Sequence, residues 1–110
     1  MSEFVAFLRE VFDEFGPITS KRMFGGHGIY HQGLMFALVA DDTLYLKTDD
    51  GNRADFEALD LPAFTYEKNG KPVQLSFTQA PEEIFDEPEL ARAWAQSAFA
   101  AARRNAAKKR

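Results

Sequence analysis

Asn69-Gly70 stands between two alternating runs, Phe64-Thr65-Tyr66-Glu67-Lys68 and Lys71-Pro72-Val73-Gln74-Leu75-Ser76-Phe77, and constrains the fold more than any other segment. A two-residue connection of this kind needs positive φ at both turn positions, which Asn-Gly supplies readily. Pairing Lys68 with Lys71 sets Tyr66 opposite Val73 and Phe64 opposite Leu75, all on one face of a hairpin. In that register the missing N–H of Pro72 points away from the partner strand, so no ladder bond is lost.

Three more short runs lie upstream: Ile29-Tyr30-His31, Leu34 to Ala40, and Thr43 to Lys47. Gln32-Gly33 and Asp41-Asp42 separate them and suit tight turns, so they predict an antiparallel three-strand meander. The middle run is apolar on both faces. It should be central and covered on both sides.

Helical spacing brackets the strands. Phe4, Phe7, Leu8, Val11, Phe12 and Phe15 recur at three- and four-residue steps, with Ser2 as cap and Gly16-Pro17 as stop. Asp49-Asp50-Gly51-Asn52 caps a short helix holding Phe56 and Leu59, ended by Pro62. Asp86-Glu87-Pro88 opens the last helix, where proline fits the first turn and acids complement the dipole. Leu90, Trp94, Ser97, Ala98 and Ala101 form its expected buried face. Phe99 falls opposite Leu90 on the helical wheel, which marks it as a candidate interface residue. The expected order is α-β-β-β-α-β-β-α: an α+β domain with an antiparallel sheet and helices packed on it. Residues 1–104 form that domain, and 105–110 a basic C-terminal tail.

Composition narrows the function. The chain of 110 residues is 45% apolar and contains eleven phenylalanines, enough for one core without metal or disulfide staples. Cysteine is absent, which excludes disulfides, thiolate metal sites and a cysteine nucleophile. The amino terminus lacks a signal-peptide pattern, and no apolar run approaches the ~20 residues that span a bilayer. The expected location is the cytoplasm. Five of thirteen basic residues (Arg103, Arg104, Lys108, Lys109, Arg110) sit in the last eight positions, so residues 1–102 hold eight basic against seventeen acidic groups, a net −9. A body so acidic repels phosphate backbones, and nucleic acid is disfavoured as a partner.

Arg22-Met23-Phe24-Gly25-Gly26-His27-Gly28-Ile29-Tyr30 is the segment where chemistry would be expected first. No Gly-Lys-Ser/Thr follows the glycines, and a strand rather than a helix comes next, so they read as a backbone bend or bulge. His27 and His31, four apart on a strand, would stand roughly 13 Å apart and share no ion. Asp49 to Arg53 lacks the carboxylates of a calcium loop. Asp41-Asp42 are solvated turn acids. No catalytic residue, metal site or cofactor is expected.

The segment from Lys21 to Tyr30 resembles the opening signature of TfoX/Sxy N-terminal domains, as does Met35 through Asp49. Phe64-Thr65-Tyr66, Gly70-Lys71 and Ala80-Pro81-Glu82-Glu83 follow in the order of that family. The resemblance runs from about Phe4 to Arg104 and carries over as motif residues Arg22, Met23, Phe24, Gly25, Gly26, Gly28 and Tyr30. It implies a regulatory, non-enzymatic domain of competence-regulator type that contacts a protein partner and forms a homodimer. Full-length members carry a second, C-terminal helical domain and act with the cyclic-AMP receptor protein at promoters, so this chain is expected to stand as the N-terminal domain alone. The alternatives are nucleic-acid binding through the tail with Lys21 and Arg22, and small-molecule sensing at the glycine cluster.

Overall fold

Every expected two-residue turn has positive φ at both positions: 50° and 81° at Gln32 and Gly33, 51° and 54° at Asp41 and Asp42, 55° and 78° at Asn69 and Gly70. These are the dihedral signs of hairpin turns whose twist matches the strands they join. The structure is a computed structural model and describes residues 3–23 and 25–108. Ser2, the expected cap of the first helix, lies outside the described residues.

The elements run α1 (Glu3–Val11), β1 (Thr19–Met23), β2 (Gly26–His31), β3 (Leu34–Ala40), β4 (Thr43–Lys47), α2 (Arg53–Glu57), β5 (Ala63–Lys68), β6 (Lys71–Gln79), a 3-10 turn (Glu82–Phe85) and α3 (Pro88–Lys108). The six strands form one antiparallel sheet in the order β1-β2-β3-β4-β6-β5. The fold is α+β, as the residue patterns predict, with one additional strand. β1 is polar and lies at the edge, so it carries neither apolar alternation nor a buried face from which to recognise it.

The Asn69-Gly70 hairpin keeps the expected register, Lys68 with Lys71 and Tyr66 with Val73. A register shift between Ala63 and Thr65 then moves Phe64 off a simple pairing with Leu75. Pro72 pairs with Glu67.

The helices contribute buried apolar residues to one cluster. Val5, Leu8, Val11 and Phe12 from the amino-terminal segment, Phe56 from α2 and the alanines of α3 pack against Ile29, Phe36, Val39, Leu44 and Leu46 of the sheet. β3 is central, as expected, but its two faces are buried differently. The opposite face carries a second cluster, Leu38 with Phe64 and Phe77, flanked by Met35, Ala40, Tyr45, Tyr66 and Leu75. Every one of these residues comes from a strand. The strand is covered on both sides, as expected: on this second face Leu38 is 1% exposed because the sheet's own side chains fold over it. The ladders are irregular at Ile29/Tyr30 and Ala63/Thr65, and bulges of this kind increase local twist.

The buried face of α3 also differs from the expected one. Ala91, Ala95, Ala98 and Ala102 form the seam against the sheet, while Leu90 stays exposed. Small side chains let a helix lie close to the layer beneath it, so the seam follows size as well as hydropathy. The large residues flank it. Trp94 meets Phe56 edge-on at 5.0 Å between ring centroids, and Phe99 meets Phe15 at 6.0 Å. Phe99 is thus a half-buried core flank, which corrects its reading as an aromatic lying off the packed face.

Candidate functional site

The motif segment forms the β1–β2 hairpin. Met23 pairs with Gly26, leaving a two-residue connection whose second position, Gly25, has φ +75°. Phe24 lies outside the described residues. A Cβ on Gly26 would sit 1.9 Å from the Val39 carbonyl oxygen, so only glycine allows β2 to approach β3 at that point. Gly28 serves a different purpose. A Cβ there would meet Met35 Sδ at 2.7 Å and Met23 Cε at 2.8 Å, because both thioethers close over it. The glycine cluster is a turn plus two close approaches. Arg22 is exposed on the edge strand opposite His27, and Tyr30 is half-buried with Lys21 Nζ 5.2 Å from its ring centroid.

The two histidines have separate environments. His31 is buried, donates from Nδ1 to the Pro17 carbonyl at 2.7 Å, and lies between Phe15 and Phe99 at 4.4 and 4.9 Å. A Cβ on Gly16, where φ is +143°, would collide with its ring. His27 is half-buried opposite Val39. Asp41 and Asp42 are exposed in their turn. Among the described residues, no three His, Asp or Glu side chains converge as a metal set.

The Asp49–Asn52 loop is an anchor more than a helix cap. Asn52 makes no side-chain cap bond to α2. Its Oδ1 accepts from the Asp49 N–H at 2.8 Å, and its Nδ2 reaches the Lys47 carbonyl at 3.1 Å and Ser97 Oγ at 3.2 Å. Asp49 accepts from the Gly51 N–H and pairs with Arg104 of α3. Asp50 pairs with Arg53. Of the five carboxyl-terminal basic residues, Arg103, Arg104 and Lys108 thus belong to α3, and Lys109 and Arg110 lie outside the described residues.

A cleft of about 360 Å³ opens between α2 and α3, lined by Asp55, Ala58, Leu59, Ala93, Trp94 and Ser97. Leu59 at its rim is 52% exposed, and Leu90, one turn before Trp94, is 37% exposed. Sequence reasoning put Leu90 on the buried face of α3 and Leu59 inside the short helix, and so missed this surface. The usable signal was the shortness of α2, which ends at Glu57 and leaves Leu59 in the turn before Pro62.

Compared with known proteins, residues 10–102 match the model of the TfoX N-terminal domain family. No curated protein matches the chain. No helix among the described residues is long and apolar enough to cross a membrane.

Proposed function

The chain belongs to the TfoX N-terminal domain family, and from that premise we propose that it is a non-enzymatic regulatory domain acting through protein contact, first with a second copy of itself. The observation that carries this reading is the α2–α3 cleft with Leu90 beside it. Leu90 is an exposed apolar knob, and the cleft one turn farther along the same helix face is an apolar hole. Two copies related by a two-fold axis near Arg92, with antiparallel α3 helices, would each set Leu90 into the cleft of the other. Such an isologous contact closes on itself and leaves no open filament. Phe99 is a poor contact residue by comparison, since it packs against Phe15 and His31 within the domain.

Multi-angle light scattering across a concentration series tests the reading. The unaltered chain should show a dimer mass that falls on dilution, and Leu90→Asp should be monomeric throughout with an unchanged circular dichroism spectrum. A monomer of the unaltered chain at every concentration would overturn pairing through this cleft.

A further inference from the structure

The strand lysines and the tyrosines are segregated onto one face of the sheet. Directly paired residues share a face, so Lys21, Gly28, Leu38, Tyr45 and Gln79 form one row across five strands. Thr19, Tyr30 and Met35 form the next row on the same side, and Lys47 pairs with Phe77 there. Tyr66 with Val73 and Lys68 with Lys71 extend it along the β5–β6 hairpin. Four of the six lysines and all three tyrosines therefore share a face. It is the face of the strand-only cluster, to which no helix residue belongs. Of seventeen acidic residues only Glu67 stands in a strand, and it alternates to the opposite side. The rest lie on helices, turns and loops. The net −9 of residues 1–102 hides a sheet face to which, among the described residues, no strand contributes a carboxylate.

We propose that this open face binds single-stranded nucleic acid, the tyrosine rings stacking on bases and the lysines meeting phosphates. Lysines and rings already lie together there: Lys21 Nζ is 5.2 Å from the centroid of half-buried Tyr30, and Lys47 Nζ is 5.0 Å from that of buried Phe77. Sequence-tolerant binders of single strands combine these two features, because every base has a π-face and every nucleotide a charge. A duplex hides its base faces, and its second backbone would meet the acidic flanks. A second copy seated face to face would set lysine against lysine with no strand carboxylate between them. Protein interfaces in general are depleted in lysine. Lys108 belongs to α3, and the face of the strand-only cluster lies apart from the α2–α3 cleft.

Fluorescence anisotropy with labelled oligothymidine of about twelve nucleotides, a length suited to one such platform, tests the assignment. Binding is expected at about 50 mM salt, with a log–log salt slope of about −3 for four lysine–phosphate contacts on a single strand. Lys21→Gln with Lys71→Gln should flatten that slope by about 1.4. Tyr30→Ala should weaken binding about tenfold or more through lost stacking, with the fold retained by circular dichroism. Lys108→Gln and Leu90→Asp should leave affinity unchanged. Oligouridine should bind within about threefold of oligothymidine, since stacking and phosphate contacts are common to both strands. No anisotropy change would overturn the proposal. So would equal affinity for a duplex of the same length, loss of binding only on removal of residues 103–110, or a dimer dissolved by Tyr30→Ala.

Discussion

Arg104 holds Asp49 by both carboxylate oxygens, Nε to Oδ2 at 2.6 Å and Nη2 to Oδ1 at 2.8 Å, and so fastens the last turns of α3 to the loop that follows β4. Gly51 lies beneath the pair, where a Cβ would come within 2.7 Å of Arg104 Nη2. The contact joins residues 55 apart in sequence, and its planar, bidentate geometry suits arginine and not lysine.

Acid should loosen this fastening. The hydrogen bonds from Arg104 hold the Asp49 carboxyl at about 2, against an ordinary 3.8, with the Gly51 N–H assisting and burial opposing. A lowered folded-state value means that the contribution to stability is complete above the ordinary value and lost as pH falls through the folded one. The unaltered domain should therefore lose stability between about pH 4 and pH 2 more steeply than Asp49→Asn does. Urea unfolding midpoints across that range measure it, and parallel curves for the two proteins would refute the link.

Asn52 carries more of the same junction. It is 4% exposed, and its amide reaches the end of β4, the Asp49 N–H and Ser97 of α3 together. Asn52→Ala removes all three contacts from a buried junction, which should cost about 2–3 kcal/mol. Ser97→Ala removes one contact and should cost about 0.5–1 kcal/mol. Chemical denaturation separates the two. Equal small losses would mean that the amide is merely filling space.

Gly26 and Gly28, two positions apart on β2, should respond very differently to alanine. At Gly26 the added methyl would overlap a backbone carbonyl that cannot move without breaking β2 from β3. At Gly28 it meets the far ends of Met23 and Met35, which can change rotamer. Gly26→Ala should destabilise by about 3 kcal/mol or more, and Gly28→Ala by about 1 kcal/mol. Thermal melts decide it, and comparable shifts would contradict the geometry.

Turn chemistry made most of the sheet legible in advance. Asn69-Gly70, Gln32-Gly33 and Asp41-Asp42 each specify a two-residue connection, and each specifies antiparallel neighbours. β1 was not legible, because an edge strand of Thr19-Ser20-Lys21-Arg22-Met23 buries too little to impose alternation. The face of α3 was misread for a related reason: a helical wheel favours the largest side chains, whereas close packing on a sheet favours alanine. The segregation of lysines and tyrosines depends on strand pairing and becomes visible only once the register is known. Net charge concealed it.

Phe99 and His31 provide the last test, because they decide whether that flank of α3 is core or surface. The His31 ring lies 4.9 Å from Phe99 and 4.4 Å from Phe15, and its Nδ1–H is satisfied by the Pro17 carbonyl. Phe99→Ala should cost about 2–3 kcal/mol, less than a fully buried phenylalanine because one side of the ring remains open. Phe99→Asp should cost more, since it sets a charge against two aromatic rings. His31→Phe keeps the ring contacts but leaves the Pro17 carbonyl unpaired, at about 1–2 kcal/mol. If Phe99→Asp instead left the urea midpoint unchanged, the ring would be a surface group. The packing assigned to the α3 flank would then be wrong.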